Sequence, residues 1–234
     1  MKYTSVIFDL FGTLVPDIAG PPYLLTAKQM AKVLSIPSGT FVEMWFGTAY
    51  ERNIGVFKTV QDNIKYICTK LNARINEEQV SRATQIRYEF VQQAMNTPIK
   101  HSLETIAELK RAGIKIGLVS DCSPSEPEIW QTTPFQPLFD VTIFSSIAEF
   151  KKPDLRIYQL AMKNLQVREN ECVYVGNGGS NEIEGAFKAG LFPILILPES
   201  DSETHLQPGK GIIEYAKEHG KMIRNIDEIL TLFR

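Results

Sequence analysis

Cysteine is scarce in this chain: Cys68, Cys122 and Cys172 are the only three among 234 residues. The odd count leaves at least one thiol free, and no CxxC or paired Cys/His spacing marks a zinc site. A disulfide framework is excluded, and buried thiols in a reducing cytoplasm are expected instead. Histidine is equally scarce, and His101, His205 and His219 are too scattered to share a helical face. A surplus of one charge is also lacking. The 25 basic and 27 acidic side chains leave a formal charge of −2 with no long run of either sign. No nucleic-acid partner and no membrane surface are therefore expected. The longest apolar stretch, Leu191 to Pro198, is far too short to span a bilayer. Asp9 interrupts the apolar N-terminal segment and no small-residue cleavage site follows, so no signal peptide is expected.

What is present is an ordinary globular composition, with 44% hydrophobic, 22% charged and 10% aromatic residues. At this length roughly 70–75% of the unfolded chain's surface is buried on folding, enough for a large core. Short apolar runs recur at Tyr3–Phe8, Ile114–Val119, Val141–Phe144, Cys172–Val175 and Pro193–Leu197. Continuous apolarity of this length reads as strands buried on both faces of a parallel sheet. Helical periods lie between and after the later runs, at Leu103–Arg111, Leu155–Asn164, Asn181–Ala189 and Ile226–Phe233. The alternation predicts an α/β fold, a doubly wound parallel sheet with right-handed crossovers.

The alternation breaks once. Between Pro16 and Pro98 there is no strand-like run, only candidate helices near Tyr23–Leu34, Thr40–Arg52, Phe57–Leu71 and Glu77–Met95, punctuated by Pro- and Gly-containing turns. A crossover of this length predicts an inserted all-helical cap at 16–97, leaving 1–15 plus 98–234 as the α/β core. Ligands of open α/β sheets bind beyond the strand carboxyl ends, where such a cap would cover them.

Polar residues stand at those ends. Asp9-Leu10-Phe11-Gly12-Thr13 follows the first strand, and Ser120-Asp121 follows the second. Lys152-Pro153-Asp154 precedes a helix, and Gly176-Asn177-Gly178-Gly179-Ser180-Asn181-Glu182 follows the fourth strand. A sheet would converge these carboxylates, hydroxyls, one ammonium and exposed backbone N–H groups on one crevice, a set able to hold a divalent cation and an anion together.

These four segments resemble the four motifs of the haloacid dehalogenase (HAD) superfamily, with the helical cap placed as in its C1-capped members. The resemblance runs in order from Tyr3 to about Leu197. It implies that Asp9 is a nucleophile forming a covalent aspartyl intermediate that water hydrolyses. It implies that Thr13 and Ser120 hydrogen-bond the transferring group, helped by backbone N–H groups near Gly12 and Asp121, while Lys152 neutralises charge. It further implies Mg²⁺ held by Asp9, the Phe11 carbonyl, Asn177 and Glu182. The implied activity is a phosphatase acting on a small phosphorylated metabolite, with an anionic small molecule as partner and a monomer or homodimer as assembly.

Departures from the family pattern shape that expectation. Most HAD phosphatases carry a second aspartate two residues after the nucleophile as general acid; here Phe11 stands there, which handicaps poor leaving groups by about 10²–10⁴-fold. Asn177 and Glu182 replace two aspartates, and Asp121 replaces a common asparagine. Phe11, Asn177 and Tyr158 also resemble the 2-haloacid dehalogenase branch, where a halide leaves without a proton and no metal is used. Gly176, Ser180 and Glu182 depart from that branch. A third reading, a binding or regulatory module on a HAD fold, also stays open.

Plainer roles compete at several positions. Glu182 lies in a first helical turn, where the dipole favours an acid and Asn181 with Glu184 spells a capping box. Tyr158 has the position of a packing aromatic. Phe41, Trp45, Thr48 and Arg52 fall at helical spacing as cap core, with Arg52 long enough to reach an anionic substrate. Cys122 reads as a small packed residue.

Overall fold

The computed structural model describes residues 3–197 and 209–233; His205 lies outside them. A six-stranded sheet in which every pairing is parallel forms the centre, in the order β3-β2-β1-β4-β5-β6. Its strands are β1 (Ser5–Phe8), β2 (Lys115–Ser120), β3 (Val141–Phe144), β4 (Cys172–Gly176), β5 (Phe192–Ile196) and β6 (Lys221–Ile223). The residues of β1 are buried throughout, as the continuous apolar run requires.

Six helices lie in the connection from β1 to β2, and the first five fall in the long insert: α1 (Pro21–Val33), α2 (Ser38–Gly47), α3 (Ala49–Asn53), α4 (Val60–Lys70) and α5 (Glu77–Met95). Of these five, all but α3 share a hydrophobic cluster that includes Met30, Phe41, Trp45, Ile64 and Val80. Thr59 and Asn76 start α4 and α5 with reciprocal capping boxes through Asp62 and Gln79. The predicted helix across Thr40–Arg52 is interrupted at Thr48, whose hydroxyl donates back to the Met44 and Trp45 carbonyls at 2.9 and 3.2 Å.

The remaining helices surround the sheet: α6 (Ser102–Arg111), α7 (Glu126–Trp130), α8 (Ser145–Ala148), α9 (Leu155–Leu165), α10 (Glu182–Lys188) and α11 (Lys210–His219). One core cluster joins Val6, Phe8, Leu118, Trp130 and Val175, with Val91 and Met95 of α5 packed into it. A second holds Ile7, Val119, Tyr158 and Tyr174. The closing segment Ile226–Leu232 is wound as a tighter 3₁₀ helix with an Asn225–Glu228 capping box, where an α-helix was expected. Among the described residues no helix is long and apolar enough to cross a membrane.

The sheet order fixes the crevice. β1 pairs with β2 on one side and β4 on the other, so successive connections wind away in opposite directions from β1. Phe8 is level with both Leu118 and Val175, and the Asp9 N–H donates to the Val175 carbonyl at 2.9 Å. Asp9, Ser120 and Asn177 therefore leave adjacent strands within one residue of the same height.

Candidate active site

Asp9 is buried at the end of β1, in a tight turn closed by Gly12 N–H to the Val15 carbonyl at 2.8 Å. The turn needs glycine at residue 12 twice over. Its φ is +75°, and a Cβ there would lie 2.0 Å from the Asn177 Nδ2. Thr13, fully buried, donates its hydroxyl to Asp9 Oδ2 at 3.2 Å. The Phe11 side chain is partly buried against the main core, and the bonds of this turn run through the Leu10 carbonyl and Gly12 N–H instead of the Phe11 carbonyl.

Lys152 closes the other side. Its ammonium, buried, donates both to Asp9 Oδ1 and, at 2.5 Å, to Glu182 Oε2. The Lys152–Pro153 peptide is cis, and Asp154 caps α9 through Arg156 N–H at 2.9 Å. Asp121 fixes this loop: its Oδ1 accepts from the Lys152 backbone N–H at 2.9 Å and its Oδ2 pairs with Lys151 at 3.0 Å. The Asp121 carboxylate, a departure from the family pattern, thus holds the lysine loop. The Gly12 N–H, expected on the substrate, is spent on Val15.

Glu182 lies at the start of α10 and is fully buried. Three donors reach its carboxylate: Lys152, the Tyr174 hydroxyl at 2.7 Å and the Gly178 N–H at 3.0 Å. The Asn181 capping box does not form, because Asn181 sits in the left-handed region at φ 52° and makes no side-chain cap bond. Gly176 makes space for Glu182, since a Cβ there would meet Glu182 Oε1 at 2.2 Å. Tyr158 is buried edge-on to Tyr174 and donates to the Glu182 carbonyl at 3.0 Å, a packing role. Tyr174, inside an unremarkable apolar strand, carried no signal in the sequence.

The electrostatics follow from two acids sharing one ammonium. Burial and the Glu182 charge push the Asp9 carboxyl up to about 7, against the pull of Lys152. Burial alone would discharge Lys152, but the charges of Asp9, Glu182 and Asp121 outweigh it and hold its pKa well above the usual lysine value. Ser120, at the end of β2, is fully buried and its hydroxyl has no partner among the described residues. A buried hydroxyl left without an acceptor, at the end of the strand paired with the one that carries Asp9, is free to bond a ligand. Cys122 packs, its N–H on Ser145 Oγ at 2.9 Å and its thiol pKa raised by burial.

The predicted magnesium donors divide. Glu182 is committed to three protein donors, and the Asn177 Oδ1 accepts from Gly179 N–H at 3.0 Å. Among the described residues no group of three or more acidic, His or Cys side chains surrounds a cation position. The Phe11 carbonyl remains, with the Asp9 carboxylate, whose two oxygens also accept from Lys152 and Thr13 but keep lone pairs at the crevice edge. That reduced set fits an ion such as Mg²⁺, which keeps most of its waters and takes further ligands from substrate phosphate.

Arg52, expected to reach an anionic substrate, is buried within the insert, its guanidinium 4.0 Å over the Trp45 ring and bonded to the Trp45 carbonyl and Asn63. Arg87 and Glu126, a fully buried ion pair at 2.9 Å between α5 and α7, gave no motif signal because their partnership is purely spatial.

A parallel doubly wound sheet with a buried carboxylate and a lysine bonded at its carboxyl edge places the chain among α/β proteins with a polar crevice at the strand ends. Residues 3–190 match the family model described as haloacid dehalogenase-like hydrolase, and the chain belongs to that family. It is 30% identical over 113 residues to the glyceraldehyde 3-phosphate phosphatase of Methanocaldococcus jannaschii, covering 48% of this chain and 50% of that protein. Over 179 residues, 74% of this chain and 75% of the relative, it is 22% identical to a (S)-2-haloacid dehalogenase of Pseudomonas fluorescens. The alignment thus spans only half the length of the first of these relatives. The fold is shared with a HAD phosphatase from Thermococcus onnurineus, at a TM-score of 0.65, 18% identity and coverage of 98% and 97%. An L-2-haloacid dehalogenase from Xanthobacter autotrophicus gives 0.63, 16% identity and 98% of both chains.

Proposed function

We propose that this hydrolase is a phosphatase that transfers the phosphoryl group of a small anionic metabolite to Asp9 and then to water. The observation that carries the reading is the pair of donors on Asp9, Lys152 and Thr13, with the unpartnered buried hydroxyl of Ser120 at the end of the neighbouring strand. Asp9 attacks phosphorus, and the substrate's leaving oxygen departs with the bonding electrons. Lys152 and Ser120 stabilise the charge on the transferring group. Water then attacks phosphorus, the P–O bond to Asp9 breaks, and the carboxylate is regenerated. The insert serves as the cap over this crevice.

Phe11 offers no proton to the leaving oxygen, so the preferred substrates are those whose leaving group needs none, acyl or aryl phosphates. Two carboxylates against one ammonium leave the site net negative, which opposes a phosphate dianion. A bound magnesium ion on Asp9 and the Phe11 carbonyl would supply the compensating positive charge. A cytoplasmic setting suits the three buried, unpaired thiols.

One observation favours a second reading. Lys152 alone bridges Asp9 and Glu182, an arrangement suited to a neutral electrophilic carbon bearing a halide, with no metal and no acid. Single turnover in oxygen-18 water separates the two. Hydrolysis of an aspartyl-phosphate at phosphorus puts the label in inorganic phosphate. Hydrolysis of an alkyl ester at its carbonyl puts it in Asp9, read by peptide mass spectrometry. The first outcome is expected, and label in Asp9 would overturn it.

A further inference from the structure

One face of β4 is shaped around a carboxylate. Tyr174 and Gly176 are two residues apart in the strand, so they share that face. A Cβ at residue 176 would lie 2.2 Å from Glu182 Oε1 and 3.1 Å from the Tyr174 ring. Gly176 thus leaves a slot, Tyr174 walls it and Glu182 fills it. The Glu182 Oε2 accepts from the Tyr174 hydroxyl at 2.7 Å and from Lys152 Nζ at 2.5 Å, while its Oε1 accepts from Gly178 N–H at 3.0 Å. Tyr174 and Glu182 are fully buried, and Lys152 is 3% exposed. A second tyrosine, Tyr158, donates instead to the Glu182 main-chain carbonyl at 3.0 Å and meets the Tyr174 ring edge-on.

These bonds decide how one ammonium is shared. Lys152 Nζ donates to Glu182 Oε2 and also to Asp9 Oδ1, so two carboxylates compete for it where little water screens them. Tyr174 sets its own donor on the very oxygen that Lys152 uses. A carboxylate oxygen that already accepts one hydrogen bond attracts a second donor less strongly. With the phenol in place, part of the Glu182 charge is balanced without Lys152, and the ammonium stays on Asp9. Without it, Glu182 would keep only Lys152 and the Gly178 N–H, and would draw the ammonium away from Asp9. The Tyr174 hydroxyl therefore bears on Asp9 through two intervening groups.

We infer that Tyr174 is a positioning residue, which holds the Lys152 ammonium on Asp9 by sharing the charge of Glu182. Its effect on rate rests on the phosphatase reading above, in which Lys152 also stabilises the transferring group. Its effect on the ammonium does not, because Lys152 bonds Asp9 in the protein alone.

Two experiments on the full chain test this. The first uses no turnover: proton–nitrogen correlation spectra of the lysine ammonium groups, recorded at constant pH. Among the described residues Lys152 is the one buried lysine, so its ammonium protons should exchange slowly enough to be seen, and Lys152→Arg identifies the signal by its loss. Tyr174→Phe, which removes a single oxygen, should shift this signal, and Glu182→Gln should shift it too. Tyr158→Phe loses a comparable buried bond to the Glu182 carbonyl but none to the carboxylate, and should leave the signal in place. The second experiment is steady-state hydrolysis of p-nitrophenyl phosphate. Tyr174→Phe should lower kcat about tenfold, the loss of one hydrogen bond to a charged group, with KM changed by less than about twofold. In the Glu182→Gln background the same substitution should cost nothing further, because its effect runs through the carboxylate. No Lys152 signal in the parent, no shift in Tyr174→Phe or Glu182→Gln, or an equal shift in Tyr158→Phe overturns the inference. So does an equal loss of kcat in the parent and Glu182→Gln backgrounds. If no aryl phosphate is hydrolysed, the phosphatase reading fails and the ammonium spectra alone decide the role of Tyr174.

Discussion

Gly176 and Glu182 occupy one space: a Cβ at residue 176 would lie 2.2 Å from the carboxylate oxygen that Gly178 N–H also holds. The missing side chain is what lets a glutamate fold under the end of β4 and reach Lys152. Gly176→Ser should therefore destabilise the protein by about 1–3 kcal/mol through overpacking. Chemical denaturation measures this, and Gly176→Ser combined with Glu182→Ala should recover part of the loss, a coupling that independent sites would not give.

Lys152 is the single ammonium between two buried acids. Lys152→Met removes it and leaves Asp9 facing Glu182, at a cost of about 3–5 kcal/mol. Adding Glu182→Gln should relieve most of that cost without restoring turnover. Equal stability of the single and double variants would show that Glu182 and Lys152 are not coupled.

Much of this site was legible beforehand because chemistry-bearing residues sat at strand ends. Asp9 and Ser120 end paired parallel strands, and the loop between α8 and α9 carries Lys152 to Asp9. The strand β6 was not legible: Lys221–Ile223 is three residues long, and no apolar run marks it. Local spacing misled at Asn181, where capping chemistry was present but a left-handed backbone turned the side chain away. The positions of Glu182 and Asp121 show another limit. Each has the residue type of a ligand-binding group, yet each is claimed by a distant loop, Glu182 by Lys152 and Asp121 by the backbone of Lys152. Such partnerships join residues far apart in the chain, and no periodicity encodes them.

Phe11→Asp restores an acid near the leaving oxygen. On the phosphatase reading it should raise turnover of a poor leaving group, such as a sugar phosphate, by about 10²-fold while changing aryl phosphate turnover far less. Parallel rates on a sugar phosphate and p-nitrophenyl phosphate check this, and an unchanged ratio would contradict it.

Asp140 ties the start of β2 to the sheet edge, accepting from Lys110 and from Ile116 N–H at 2.8 Å. Burial would raise its pKa, but these bonds hold it below the usual carboxylate value of 3.8. Its folded pKa is depressed, so its contribution to stability is complete above that value and is lost as pH falls through the folded one. The side chain is partly exposed, so the loss should stay below about 1 kcal/mol. Urea midpoints should fall less steeply below pH 4 in Asp140→Asn than in the parent protein.

On the phosphatase reading, Asp9 takes up a phosphoryl group. Phosphate release from acetyl phosphate and p-nitrophenyl phosphate, with Mg²⁺ and with EDTA, beside an Asp9→Asn control, tests it most directly. Mg²⁺-dependent release abolished by Asp9→Asn is the predicted result. No phosphate release, with halide freed from 2-chloropropionate in the presence of EDTA, would contradict it.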